Sequence, residues 1–110
     1  MKRFLLFLSM LLPGCGGNST WLFPDPPATI VATQRRVIEK KESIRFVLHD
    51  QDGDWQFLAD ENSQMDQVVE LSLRSIINLD SSLAQVLELK RGWKAQRTNL
   101  KSAWKFSSYR

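Results

Sequence analysis

The chain has 110 residues and a formal net charge of +3, which suits one small domain with a single modest core rather than several domains. Lys2 and Arg3 lie in a segment that we expect to be removed, which leaves a net charge of about +1, so the overall charge does not indicate a polyanionic partner. Cys15 is the only cysteine, which excludes an internal disulfide.

The first residues, MKRFLLFLSMLLPGC, are typical of a bacterial secretory signal. Lys2 and Arg3 precede an apolar run at 4–12 that is too short to span a bilayer as a mature helix. The run ends in Leu-Pro-Gly-Cys, which resembles the lipobox of bacterial lipoproteins, in which the cysteine is acylated and becomes the new N-terminus. We therefore predict lipidation of Cys15 and a membrane-anchored lipoprotein of the bacterial envelope.

Gly16 follows this cysteine, where an aspartate would resemble an inner-membrane retention signal, so the outer membrane is favoured if the envelope has two membranes. The alternative is that the start codon is misassigned and that the domain is cytoplasmic, with Cys15 in a frayed tail.

Residues 16–28, GGNSTWLFPDPPA, combine glycine, serine, asparagine and three prolines, and this composition is typical of a tether. Trp21, Leu22 and Phe23 form a candidate contact point within it. We predict a signal peptide at 1–14, a tether at 15–28, a single α+β domain at 29–105 and a C-terminal tail at 106–110.

The strongest pattern in the domain predicts a β-hairpin. Residues 43–49 and 54–59 are rich in aromatic and branched side chains, and Asp52-Gly53 between them is typical of a two-residue type I′ turn, which needs positive φ at both positions. This turn sets Asp50 opposite Trp55 and Leu48 opposite Phe57. One sheet face then carries Ile44, Phe46, Leu48, Trp55 and Phe57, and the other carries Arg45, Val47, His49, Gln56 and Leu58. We therefore predict structural roles for Gly53, Trp55 and Phe57.

The same hairpin contains a calcium-like spacing of carboxylates. In an EF-hand loop beginning at Asp50, the residues Asp52, Asp54 and Glu61 would occupy positions three, five and twelve. The glycine required at position six is replaced by Trp55. We therefore predict no metal here and interpret the aspartates as turn formers and solubilising charges.

The remaining elements follow from shorter patterns. Residues 29–33 predict a strand, and the helical spacing of Val69, Leu73 and Ile76 predicts a helix over roughly 68–79. The residues from Val69 to Leu73 also alternate like a strand, and Ser72 is a candidate cap for a later start. Asp80 is a candidate N-cap for a second short helix that ends before Gly92.

Residues 92–97 predict a last strand in which Trp93 closes the core. The elements together predict an α+β fold with a small, mostly antiparallel sheet of three to four strands and two short helices on one face.

The residue types needed for catalysis are hard to assemble. His49 is the only histidine, and the sequence contains no spare cysteine, phosphate-binding glycine loop or paired zinc-ligand spacing. We therefore predict a protein that is not an enzyme and has no cofactor, with a small enzyme that uses His49 as a minor alternative. Trp93 among the basic residues of the C-terminal end suits nucleic acid or an anionic membrane, but the secretory signal disfavours nucleic acid.

Three segments together resemble a known family. Residues 30–61, IVATQRRVIEKKESIRFVLHDQDGDWQFLADE, are similar to the start of a small bacterial domain known as the immunity protein 33 type, grouped with predicted immunity proteins of polymorphic toxin systems. The later segments LRSIINLDSSLAQVLEL and GWKAQR are similar to the short helices and final strand of that family. The resemblance implies a compact α+β binding domain that neutralises a toxin by binding it.

Charge distribution suggests where such a partner binds. Between Asp50 and Glu88 the chain has nine acidic residues and one basic residue, whereas from Lys90 onward it has seven basic residues and no acidic ones. We predict that the partner-binding residues are Asp50, Asp52, Asp54, Asp60 and Glu61. The basic end at 90–105 is the alternative surface, and an envelope lipoprotein with a structural or accessory role and no toxin partner is the alternative function.

Overall fold

The computed structural model describes residues 21–60 and 67–108. The predicted signal peptide, Cys15 and Glu61 lie outside the described residues. Within these two ranges, no helix is both long enough and apolar enough to cross a membrane.

Over these ranges the chain forms one six-stranded mixed sheet and three helices. In chain order the elements are β1 Ile30–Gln34, α1 Arg35–Glu39, β2 Phe46–His49, β3 Trp55–Leu58, β4 Val68–Ser72, α2 Leu73–Leu79, a 3-10 helix Ser81–Val86, β5 Trp93–Gln96 and β6 Lys105–Ser108. The strands lie in the order β4-β1-β3-β2-β5-β6 across the sheet. β1 and β3 run parallel, and the other neighbouring strands are antiparallel.

The fold is therefore α+β, but the predicted sheet of three to four strands with two helices is wrong. β4 occupies the first part of the predicted 68–79 helix, because its side chains alternate between the two sheet faces as in a strand. Ser72 then caps α2, and its hydroxyl accepts a hydrogen bond from the Ser75 N–H at 3.1 Å. β6 was not predicted, because its sequence, KFSS, does not alternate between apolar and polar residues. All four of its residues are exposed.

The predicted register of the hairpin is wrong by one residue. His49 pairs with Trp55, and the Asp50 N–H donates to the Asp54 carbonyl at 2.9 Å, so the loop is Gln51-Asp52-Gly53. The Gly53 N–H donates to the Asp50 carbonyl at 3.0 Å, and Gly53 has φ of +93°. A three-residue loop that ends in the left-handed region is the next most common hairpin connection after the two-residue turn.

This shift exchanges the faces of β2 relative to β3. Val47 and His49, rather than Phe46 and Leu48, lie on the same side as the buried Trp55 and Phe57. On that side they meet residues of α2 and the 3-10 helix, namely Leu73, Ile76, Leu83 and Val86. Phe46 and Leu58 are also buried, at 6% and 4% exposure, on the opposite face. Because β2 buries apolar side chains on both faces, hydrophobic alternation did not decide its register.

The hairpin geometry predicts the effect of a β-branched residue at the turn. Replacing Gly53 with valine is expected to lower the free energy of unfolding by about 1–2 kcal/mol or more, because L-residues resist the left-handed region and branched ones resist it most. Urea unfolding of the purified chain measures the change. The control is Gly53→Asn, since asparagine tolerates positive φ and is expected to cost less. Equal unfolding midpoints for Gly53→Val and the unmodified chain would contradict the positive φ.

Candidate functional site

Three of the predicted acidic residues, Asp50, Asp52 and Asp54, lie at the tip of the hairpin and differ in their exposure to solvent. Asp50 is half-buried, and its Oδ1 accepts hydrogen bonds from the backbone N–H groups of Asp52 at 2.9 Å and Asp54 at 3.0 Å. Asp52 and Asp54 are exposed. Asp50 therefore organises the turn, and the other two carboxylates face the solvent from a fixed backbone. No group of three or more potential metal ligands occurs in the described part of the chain.

Asp60 does not belong to this tip. It follows the far end of β3, so the length of this four-residue strand, about 13 Å, separates it from Asp54. Its Oδ2 lies 3.9 Å from Nη2 of Arg36 and 3.8 Å from Nη2 of Arg45. The structure therefore divides the predicted acidic set: Asp52 and Asp54 lie at one end of the sheet, and Asp60 lies among cations at the other.

Trp93 lies at the same end of the sheet as the hairpin tip. It pairs with His49, the last residue of β2, and the preceding Gly92 N–H donates to the His49 carbonyl at 2.7 Å. In the adjoining turn, the guanidinium of Arg91 approaches Gly53 so closely that a Cβ there would lie 2.8 Å from it. The turn at 90–92 therefore joins the acidic tip to the start of β5.

The prediction that Trp93 closes the core is wrong. Trp93 is 38% exposed, although its pairing with His49 places it on the helix-covered side of the sheet. Trp104, at 8% exposure, belongs to the core cluster instead. Phe106 of β6 lies on the same face as Trp93 and is half exposed. The two aromatic rings border a shallow cavity of about 260 Å³ that Leu89 also lines.

Phe106 was missed because the sequence placed it in a tail. Its single aromatic ring between lysine and serine gives no periodic signal, and only its pairing with Ala95 brings it beside Trp93.

His49 lies on the core side, not on the opposite face where the sequence placed it. Its ring is stacked on Trp55 with centroids 3.9 Å apart, and its Nδ1–H donates to the Leu89 carbonyl at 2.7 Å. Its Nε2 faces Oδ2 of Asp25 at 3.9 Å, which is too far for a hydrogen bond. The same Asp25 oxygen accepts a hydrogen bond from Nε1 of Trp55 at 2.6 Å. His49 and Asp25 thus connect β2, the chain after the 3-10 helix and the N-terminal segment.

That N-terminal segment, residues 21–29, packs against α2. The backbone N–H groups of Leu73 and Arg74 donate to the carbonyls of Thr29 at 2.7 Å and Pro27 at 3.0 Å. Trp21 donates through Nε1 to the Asp25 carbonyl at 2.6 Å and makes an edge-to-face contact with Phe23. Of the candidate contact point, Trp21 and Phe23 are half-buried against the core, while Leu22 is 75% exposed.

Arg97 is removed from the candidate basic surface because it is buried. Its Nε and Nη2 donate to the Ile44 carbonyl at 3.0 and 2.8 Å, and its Nη1 donates to Oγ of Ser82 at 2.8 Å. Nη2 also donates to Oδ2 of Asp80 at 2.9 Å, and the guanidinium lies 4.1 Å from the centre of a Trp104 ring. Asp80 in turn caps the 3-10 helix, because its Oδ1 accepts from the Ser82 N–H at 3.0 Å.

Comparison with known proteins gives no match to a family model, a curated protein or a solved structure. None of these comparisons bears on the resemblance to the immunity protein 33 type, which stays a prediction from the sequence. The geometry adds an acidic hairpin tip beside two exposed aromatic rings.

The buried ion pair predicts a large effect on stability. Replacing Arg97 with alanine is expected to lower the free energy of unfolding by about 3–5 kcal/mol, because Asp80 and the Ile44 carbonyl lose their partner in a buried site. Chemical unfolding followed by far-UV circular dichroism measures it.

Arg35→Ala is the matched control for this loss. Arg35 forms an exposed ion pair with Glu39 at 3.8 Å, and its loss is expected to cost about 0.5 kcal/mol. Equal losses for the two variants would show that the Arg97 network does not stabilise the fold.

Proposed function

We propose that this chain is a non-enzymatic protein-binding domain of the immunity type, held at the bacterial envelope through Cys15, which neutralises a toxin by covering part of its surface. The observation that carries the proposal is the acidic tip at Asp52 and Asp54 beside the exposed ring of Trp93. Protein interfaces are enriched in such aromatic residues, and their energy is concentrated in a few anchors of this kind.

The turn supports binding by fixing the backbone that carries the two carboxylates. Asp50 accepts the N–H groups of both Asp52 and Asp54, so the loop is ordered before a partner arrives. A preorganised loop loses less conformational entropy on association. Two exposed carboxylates also favour encounter with a basic surface, which increases the association rate more than the final affinity.

The basic end has weaker support as the binding surface. Arg97 is buried among its own hydrogen-bond acceptors. Lys94 is half-buried, with its Nζ 5.9 Å from the centre of the Phe46 ring. Exposed cations at this end include Lys101, which lies in a loop, and Lys105. They form no preorganised tip comparable to the hairpin.

A second function, that of an accessory envelope lipoprotein without a toxin partner, has one observation in its favour. The segment at 21–29 packs on the domain. If Cys15 carries a lipid, the six-residue step to Trp21 holds the domain within about 20 Å of the membrane. A domain held so close to the membrane suits a structural role at its surface.

The partner surface is tested by neutralising the tip. In the Asp52→Asn/Asp54→Asn variant, association with the protein that co-purifies from the chain's own cells is expected to slow about threefold to tenfold at low salt, and less at high salt. Stopped-flow or surface-based kinetics measures the rate. The control, Asp60→Asn, removes a carboxylate from the far end and is expected to leave the rate unchanged. Loss of binding in Lys101→Gln/Lys105→Gln, with the tip variant unaffected, would place the interface at the basic end.

Anchoring is tested separately at Cys15. Replacement of Cys15 by serine removes the acylated thiol, so the protein is expected to leave the membrane fraction of its cells. Fractionation followed by mass spectrometry of the N-terminus measures the outcome. An unmodified chain that is already soluble and retains Met1 would support the cytoplasmic alternative.

A further inference from the structure

We infer that the β6 edge of the sheet binds an extended segment of a partner protein as an additional strand, and that the side chains of this segment alternate between apolar and acidic. The inference rests on the proposed protein-binding function and specifies the form of its partner.

The first observation is the direction of the β6 backbone. The Arg97 N–H donates to the Arg45 carbonyl at 2.9 Å, and in an antiparallel ladder alternate residues bond to the same neighbour. Ala95 therefore turns its backbone groups towards β2, whereas Gln96 turns its groups towards Lys105 of β6. It follows that the N–H and C=O of Phe106 point away from β5, towards the open edge. Within the described residues, β5 is the strand that pairs with β6.

The second observation is an apolar recess on the helix side of this edge. Phe106 and Trp93 are 50% and 38% exposed, and with Leu89 they border the cavity of about 260 Å³. Side chains of an added strand point to alternate faces, so every second one would lie over Phe106. Glu88 and Lys90 at the rim carry opposite charges and do not favour a charged occupant. An apolar side chain fits this position.

The third observation is the charge of the opposite face. Lys105 lies on that face at the edge, and Lys94 lies on the same face of β5, opposite Ser107. β6 contributes Lys105 and Ser107 to that face, so its only charge there is positive. The side chains of an added strand that point this way are complementary when they are acidic, because opposite charges on adjacent strands attract.

The same arrangement disfavours a nucleic acid or a membrane. Such partners need aromatic and basic side chains on one surface. Here Phe106 and Trp93 lie on one face of the sheet, and Lys94 and Lys105 lie on the other. An added strand points its side chains alternately to the two faces of the sheet. It can therefore contact the aromatic rings on one face and the lysines on the other.

A capped eight-residue peptide in which valine alternates with glutamate is the probe, titrated into the ¹⁵N-labelled full chain. We expect shifts of the amide signals at 105–108 and about tenfold slower hydrogen exchange of the Phe106 N–H at saturation. A peptide with lysine in place of glutamate is expected to bind about fivefold more weakly, and Lys105→Glu is expected to reverse that preference. Phe106→Ala is expected to weaken both peptides.

Lys101→Glu is the matched control, because it makes the same charge change at an exposed turn residue outside β6 and is expected to leave peptide binding unchanged. Unfolding midpoints of all variants verify that each one folds. The Asp52→Asn/Asp54→Asn variant is expected to bind the peptide with unchanged affinity. Peptide binding therefore tests the β6 edge, whereas the association rate of the co-purifying protein tests the hairpin tip.

Three outcomes would overturn the inference. The first is an absence of shifts at 105–108 with either peptide, and the second is equal affinity for the two peptides in the unmodified chain. The third is slow hydrogen exchange of the Phe106 N–H in the absence of peptide. Its cause would be self-association, which sedimentation detects, or the addition of anionic vesicles or a single-stranded oligonucleotide. That result would assign the edge to a second copy, a membrane or a nucleic acid.

Discussion

A buried guanidinium constrains one end of this fold. Arg97 has five N–H donors and almost no exposure, so it needs acceptors from within the protein. They come from the Ile44 carbonyl before β2, from Ser82 of the 3-10 helix and from Asp80 at the cap of that helix, while Trp104 covers the face of the guanidinium. Loss of such partners by a buried cation lowers the stability of the fold by about 3–5 kcal/mol. The segments before β2, around the 3-10 helix and between β5 and β6 must therefore adopt their positions together.

This constraint separates the charges of the framework from those of the surface. Arg97 and Asp80 satisfy each other, and Asp50 is used by the backbone of its own turn. At the far side of the core, Asp25 accepts the indole N–H of Trp55 and holds the N-terminal segment against the sheet. Once these groups are assigned, Asp52 and Asp54 at the tip and Lys105 at the β6 edge remain exposed. Their charge costs the fold little and remains able to attract a partner.

Local signals in the sequence explain which parts of the fold could be predicted. The hairpin, the Ser72 cap and the Asp80 cap depend on residues within a few positions of one another. The register of the hairpin could not be predicted from the sequence, because Phe46, Val47 and Leu48 are all apolar and β2 buries side chains on both of its faces. The parallel pairing of β1 with β3 could not be predicted, because it joins segments that are distant in the sequence. The same holds for β6, whose own sequence has no strand pattern and which is defined by its pairing with β5.

The candidate site follows the same division. The exposed aspartates of the tip were visible in the sequence as turn formers, but the distance between them and Asp60 depends on the direction of β3. The burial of Arg97 depends on the Ile44 carbonyl, 53 residues away, and on Asp80, 17 residues away. In the sequence Arg97 is one cation among several, so its removal from the surface required the three-dimensional contacts.

The relative position of the tip and the edge limits the kind of partner that can use both. The hairpin strand β2 and the edge strand β6 are separated only by β5, so they lie about 10 Å apart. The tip attracts positive charge through Asp52 and Asp54. At the β6 edge, the face opposite the helices attracts negative charge through Lys105. A single partner that engages both must carry a basic group close to one end of an acidic and apolar strand. Reversing that strand would bring like charges together, so the electrostatics would select one strand direction as well as the binding position.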